Sequence, residues 1–157
     1  MKKITKEELA EILVKHKKWR DDSNEGERAN LSYLDLRWVN LRSANLGGSN
    51  ISYADLRGSN LRGADLSDSN LRGAVGNMRE VKSLSLDTYS VTYTSEVLQI
   101  ACECHLISEW WGFDDKAIGK MDIDALAWWV RYKKFIKMAI EISPAVPTGH
   151  ETSQEVL

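Results

Sequence analysis

One short cluster in the sequence has residue types able to ligate a metal or supply a nucleophile: Cys102-Glu103-Cys104-His105. Structural zinc takes four N or S donors. Cys102, Cys104 and His105 offer three, and nothing in the spacing brings His16 or His150 to complete the set. A Cys–His nucleophile pair needs its imidazole held against the sulfur, whereas neighbours such as Cys104 and His105 on an extended segment face opposite sides. The two cysteines are therefore expected as small buried apolar residues with His105 at their edge. They lie too close for an ordinary intrachain disulfide, which fits a reducing compartment. Glu109 and Asp114-Asp115 supply carboxylates, but Asp114-Asp115 follows Gly112-Phe113 and reads as a helix cap. Arg131, Lys133, Lys134 and Lys137 read as the solvated basic end of a helix. No glycine-rich phosphate loop, serine elbow or His-Glu-x-x-His motif occurs. Catalytic residues, metal ligands and cofactors are accordingly assigned as none. The competing expectation is a small-ligand sensor or enzyme whose pocket lies near His105, Trp110 and Trp111.

The elements that must carry any function are organised by an internal period. Residues 29–73 divide into nine consecutive units of five, with an aliphatic centre in each: Leu31, Leu36, Leu41, Leu46, Ile51, Leu56, Leu61, Leu66 and Leu71. The residue before each centre is Asn or Asp. A period of five fits neither the alternation of a straight strand nor the 3.6-residue repeat of an α-helix. The chain must turn once per unit, and Asn, Asp, Ser and Gly between the centres supply the turn chemistry. The outcome is a coil with its aliphatic centres inward.

Residues 29–76 resemble the pentapeptide-repeat family. That resemblance implies a mainly β solenoid, a short right-handed four-sided β-helix with four units per turn. The central residue and the small residue two before it would fill the interior, with the other three positions outward. Leu34 and Val39 depart from the small first position and are expected under a cap where the first coil widens. Four units per turn stack residues twenty apart: Tyr33 with Tyr53, Asp35 and Arg37 with Asp55 and Arg57, Asn40 and Arg42 with Asn60 and Arg62. These ladders either steady a solvated surface or form a binding face. As a partner-binding surface the candidates are Tyr33, Arg37, Trp38, Arg42, Tyr53, Arg57 and Arg62, since interfaces favour aromatics and arginine.

A solenoid this short needs covers on its ends. Residues 1–28 provide one: Thr5-Lys6-Glu7-Glu8 is a capping box, and Leu9, Ile12, Leu13, His16 and Trp19 recur at helical spacing. His16 on that face reads as a packed or rim histidine. Residues 77–143 read as an α+β module. Strands are expected at 81–86 and 89–94, a strand or buried helix at 97–104, a short helix at 106–113, and a helix from Asp122, its N-cap, to Ile142. That last helix carries two apolar stripes, one on the face of Leu126, Trp129, Val130, Lys133, Ile136 and Ile140, the other through Trp128, Tyr132, Phe135 and Ala139. Trp128, Tyr132 and Phe135 are the expected interface of a homodimer, the alternative being burial of both stripes within one chain. Residues 144–157 are expected as a flexible tail.

The charges are 21 basic and 23 acidic, a net of −2, without segregation along the chain. Attraction to nucleic acid is not supported. No apolar run approaches the roughly 20 residues that span a bilayer, and the N-terminus turns acidic where a signal peptide turns apolar, so a cytoplasmic protein without membrane association is expected. The C-terminal segment, with Gln99-Ile100-Ala101-Cys102, His105, Glu109-Trp110, Trp128-Trp129 and Ser143-Pro144-Ala145, resembles segments found beside pentapeptide repeats in phage and prophage proteins. That implies a non-catalytic phage protein that binds a bacterial protein, such as an antiviral defence component, in a bacterial host. Relatives that mimic DNA and bind type II topoisomerases supply another alternative, which nine units with five arginines and four aspartates fit poorly.

Overall fold

The computed structural model of the chain describes residues 1–150. Strand β1 (Lys2–Lys3) leads into helix α1 (Lys6–Asp21). The helix starts where the sequence places a capping box. Thr5 Oγ1 accepts the Glu8 N–H at 3.1 Å and Glu8 Oε2 accepts the Thr5 N–H at 2.9 Å, satisfying two otherwise orphaned donors. Leu9 and His16 are buried on its inner face, with Ile12 and Leu13 packed beside them on the core of the coil. The enlarged first positions Leu34 and Val39 join that same cluster, as expected of residues under a cap. β1 pairs in parallel with β2 (Leu34–Asp35) and so adds one strand to the first turn of the coil.

The coil returns upon itself every twenty residues, through parallel bridges Asn30↔Asn50, Asp35↔Asp55, Asn40↔Asn60, Asn45↔Asp65, Asn50↔Asn70 and Asp55↔Val75. Backbone bonds follow the same step, for example Leu31 N–H to Asn50 O at 2.8 Å and Asn50 N–H to Ala29 O at 2.9 Å. Each unit turns by the same device. The Oδ1 of its Asn or Asp accepts the N–H two residues on, in all nine units from Asn30–Ser32 to Asn70–Arg72. The fifth residue then takes positive φ, from 52° at Asp68 to 74° at Gly63. The Asx bond and the left-handed corner explain why Asn or Asp recurs and why Gly is common two residues after the centre. Eight central residues are fully buried and Leu66 is partly so. The expectation of a mainly β solenoid needs correction: because the chain bends at every unit, its β content is two-residue β2 and isolated bridges, and the fold is β-helix-like rather than built of long strands.

Val81 closes the far end of the coil core. Strands β3 (Lys82–Leu86), β4 (Tyr89–Tyr93), β5 (Val97–Ile100) and β6 (Glu103–Leu106) then form an antiparallel sheet in sequence order. Val91, Tyr93, Leu98 and Ile100 pack on helices α2 (Ile107–Gly112), α3 (Asp115–Gly119) and α4 (Ala125–Ile142). The alternate residues Thr92 and Gln99 face the coil. Gln99 finishes its hydrogen bonding. Its Oε1 accepts the Leu71 N–H at 2.9 Å, as the next coil's carbonyl would, and its Nε2 donates to Asn70 Oδ1 at 3.0 Å, extending the side-chain ladder Asn30–Asn50–Asn70.

Several expectations change here. Residues 97–104 are neither one strand nor a helix, because Ala101 at φ 50° turns the chain between β5 and β6. Cys102 lies in that turn and Cys104 on the edge strand, so both are exposed rather than buried. Helix α4 starts later than expected, with Asp124 at its N-cap. Asp122 instead accepts the Tyr89 hydroxyl at 2.7 Å and the Asp124 N–H at 3.1 Å. Asp114 does cap α3, accepting the Ala117 N–H at 2.7 Å.

The proposed dimer stripe is mostly internal. Trp128 is buried, donates to Leu86 O at 3.3 Å and meets Tyr89 edge to face, while Tyr132 bonds Asp87 at 3.4 Å; only Phe135 is exposed. Val130, placed on the inner stripe by its spacing, points outward. Of the expected tail, residues 144–150 pack back on the fold: Ala145 joins the core of the sheet and helices, Val146 N–H bonds Arg79 O at 2.9 Å, and Thr148 O accepts the Gly63 N–H of the coil at 2.5 Å. Residues 151–157 lie outside the described residues. No described helix is long and apolar enough to cross a membrane.

Candidate functional site

The twenty-residue register assembles the candidate surface. Tyr33 and Tyr53 stack at 4.9 Å between ring centroids with planes 13° apart. Tyr53 covers Gly73, where a Cβ would collide with its ring, and Trp38 covers Gly58 in the same way. The glycines are thus the space the rings occupy. Tyr33, Trp38 and Tyr53 all stand at left-handed corners, with φ of 58°, 63° and 57°, a conformation that costs a non-glycine residue about 1–2 kcal/mol. Other corners use Gly, Ser or Asp. Despite the contacts below them, Tyr33 remains 61% and Trp38 81% exposed.

Charge divides the arginines into two sets. Arg37 grips Asp35 through Nε and Nη2, both at 2.8 Å, and Arg57 grips Asp55 likewise; Arg37 Nε also lies 3.7 Å from Asp55, tying neighbouring coils. The guanidinium hydrogen bonds hold both carboxyls well below the usual carboxylate range, against the opposing effect of their burial. This pair of residues per coil is electrically balanced. Arg42 and Arg62, placed one coil apart by the Asn40↔Asn60 bridge, have no ion pair among the described residues, and neither has Arg72, whose guanidinium lies 5.8 Å from the Tyr53 ring centroid. The opposite side is covered by the chain itself. Trp19 lies over Gly48, Arg20 reaches Asp65 at 3.5 Å, and His150 Nε2 is 3.7 Å from the same carboxylate.

The seven sequence candidates on the coil therefore fall in three successive columns: Tyr33 and Tyr53 in the first, Arg37, Trp38 and Arg57 in the second, Arg42 and Arg62 in the third. Arg72 and Met78 were missed. Arg72 stands in the ninth unit, twenty residues after Ser52, and Met78, exposed at φ 64°, follows from carrying the register past Gly73, twenty residues after Gly58 in the column of Trp38.

The remaining candidates do not converge. His16 is fully buried in the N-terminal cap; its Nδ1 accepts the Ala29 N–H at 3.0 Å and burial lowers its pKa. That bond fixes the proton of the neutral ring on Nε2, which lacks a hydrogen-bond partner among the described residues. His105 lies edge-on to Trp110 and Phe113, with Nε2 3.2 Å from Glu103 Oε2. His150 is beside Asp65. No group of three His, Cys, Asp or Glu able to hold a metal forms among the described residues. The cleft beside Trp110 measures about 50 Å³, far below the roughly 300 Å³ at which pockets for whole metabolites begin.

Inward aliphatic residues, an Asx turn in every unit and a twenty-residue return define a pentapeptide-repeat coil. The family model for pentapeptide repeats matches residues 27–48 and 40–75, in eight copies. Residues 27–75 thus carry pentapeptide repeats, and the match does not extend to the rest of the chain. Comparisons with curated proteins and with solved structures return no match.

Proposed function

We propose that the protein acts without catalysis, by docking the Tyr33–Trp38–Tyr53 side of its coil on an acidic surface of a bacterial protein. The observation that carries this reading is Trp38: a large aromatic held at a left-handed corner, 81% exposed, where glycine would be free of strain. Arg42 and Arg62 in the next column, and Arg72 beside the Tyr53 ring, bring positive charge that no described carboxylate neutralises. Exposed aromatics with arginines are the composition of interface hot spots. We read the coil as right-handed and four-sided, as its family implies, and the cytoplasm of a bacterial host as its compartment. The finer proposal, a phage or prophage protein that inhibits a host protein such as an antiviral defence component, rests on the resemblance of the Trp-rich C-terminal segment. A homodimer is also proposed, now through Val130, Phe135, Met138 and Ile142, the exposed apolar residues of α4.

Mimicry of a DNA duplex is disfavoured, because two and a quarter coils span only about 11 Å and their unpaired side-chain charge on this side is positive. The test is capture from bacterial lysate by tagged wild type, Trp38→Gly, and Arg42→Glu with Arg62→Glu. The expected result is a protein held by the wild type and lost from both variants. Retention by both folded variants would overturn the docking surface.

A further inference from the structure

The geometry points to a second binding site, in the C-terminal module, for a small alkylammonium ion. Its walls are Tyr89, Trp110, Trp128 and Trp129 together with aliphatic residues such as Ile118 and Met121, with the carboxylates of Glu103 and Asp122 beside them, around a cavity of about 50 Å³. Among the described residues no lysine, arginine or histidine lines it. The rings are fixed by hydrogen bonds that point away from the ligand. Trp110 Nε1 donates to Leu98 O at 2.6 Å and Trp128 Nε1 to Leu86 O at 3.3 Å, so these indoles bring π faces and edges, and no free N–H, to the cavity. Tyr89 and Trp128 are inclined at 73°, Trp110 and Trp129 at 42°. Such inclined pairs do not cover each other's faces as a stack would, whereas Trp129 is stacked on Trp111 at 5.9 Å with planes 13° apart, so it is Tyr89, Trp110 and Trp128 that offer faces.

A ring face attracts a cation through its quadrupole, most strongly for Trp and most strongly where water is excluded. Trp129 is already engaged in this way by Lys133, whose Nζ lies 5.4 Å from its centroid, so the attraction for a ligand comes from the other rings. Asp122 holds the Tyr89 hydroxyl, and that hydrogen bond pushes the phenol pKa up to about 12, so Tyr89 stays neutral while the carboxylate keeps its charge. An anion would meet two carboxylates and no cationic partner. Glu103 already lies 3.2 Å from His105 Nε2, but the hydrogen bonds of Asp122 come from neutral donors, so a neutral apolar molecule would leave the Asp122 charge without a counter-ion among the described residues. The size admits one substituted ammonium head and excludes a nucleotide or a whole metabolite. The mouth lies beside exposed Cys102 and Asp122, so the head can be free or carried on a flexible chain such as a methylated lysine.

Titration calorimetry with choline, tetramethylammonium and the neutral choline isostere 3,3-dimethylbutan-1-ol tests the assignment on the intact protein. Saturable binding of both cations is expected, with the isostere at least about tenfold weaker. Glu103→Gln with Asp122→Asn should weaken choline by a similar factor without altering the circular dichroism, and Trp38→Gly on the coil should leave it unchanged. A capped Nε-trimethyl-lysine run beside choline identifies the source: tighter binding of one marks a protein side chain or a free headgroup. Equal binding of the isostere, or no saturation by either cation, overturns the site. Neither result bears on the coil surface.

Discussion

Replacing Trp38 by glycine separates a binding residue from a structural one, because the structural terms nearly cancel. Trp38 is 81% exposed, so it buries about a fifth of the 150–250 Å² that a buried aromatic removes from water, roughly 40 Å². At ~25 cal/mol per Å² this contact with Gly58 and its surroundings contributes about 1 kcal/mol. Glycine relieves the left-handed strain, worth about 1–2 kcal/mol, and adds about 0.5–1 kcal/mol of chain entropy to the unfolded state. The net change is expected within about 1 kcal/mol of zero, a shift in Tm of no more than about 4 °C for a chain of this length. Leu36→Ala, the fully buried centre of the same unit, should cost about 2–5 kcal/mol. Both are read by urea denaturation followed by circular dichroism. If Trp38→Gly destabilises as much as Leu36→Ala, the ring is a structural element and the case for a surface shaped for a partner fails.

Leu56→Lys or Leu61→Lys should unfold the coil, since each places an unpaired ammonium at a position with no solvent exposure; wild-type melting of either would remove the inward-centre architecture. Asp35 and Asp55 have folded-state pKa values below their unfolded ones, so their stabilisation is complete above the unfolded value near 4 and is lost as pH falls toward the folded value. Asp55→Asn should flatten the fall of the urea midpoint below pH ~4, and an unchanged slope would remove the arginine–aspartate contribution. Cys102→Ser with Cys104→Ser should melt as the wild type does, both thiols being exposed; near-stoichiometric zinc in the wild type, lost in the double variant, would reverse that reading. Light scattering should show a doubled mass that Phe135→Glu reduces, and a mass of 17.8 kDa at all micromolar concentrations would refute the dimer.

What the sequence made legible is local in origin. Asn or Asp before every aliphatic centre is a turn signal because its partner is the N–H two residues on, and the nine Asx bonds sit where the period puts them. Tyr33 over Tyr53 follows from the same arithmetic, as does the helix opened by Thr5 and Glu8. The missed features depend on contacts distant in sequence. Lys2-Lys3 has no apolar alternation, and only Leu34–Asp35 makes it a strand. Ala101 is not a turn residue by type, so the break between β5 and β6 was hidden in an apolar run. Trp128 could not be assigned inward by helical spacing alone, because the surface that covers it is the β3–β4 hairpin. The role of Gln99 depends on residues 28 and 29 positions away.

These distant contacts also give the exposed side of the coil its meaning. A β-helix-like coil exposes apolar core and unpaired backbone at both ends, and here each end is closed: β1 and α1 cover the first turn, Gln99, Thr92 and Val81 the last. Along the coil, the side carrying Gly47, Gly48 and Asp65 is covered by Trp19, Arg20 and residues 148–150. Wherever closure serves stability, the chain supplies its own cover. The side left open is the one with strained aromatic corners and unpaired arginines. A surface evolved only to be solvated would place glycine or serine at residue 38, as the coil does at residues 43, 48, 58, 63 and 73. At Trp38 the contact with Gly58 and the left-handed strain nearly cancel, so the fold alone gives no reason for an aromatic at that corner, and a partner's desolvating contact would supply one.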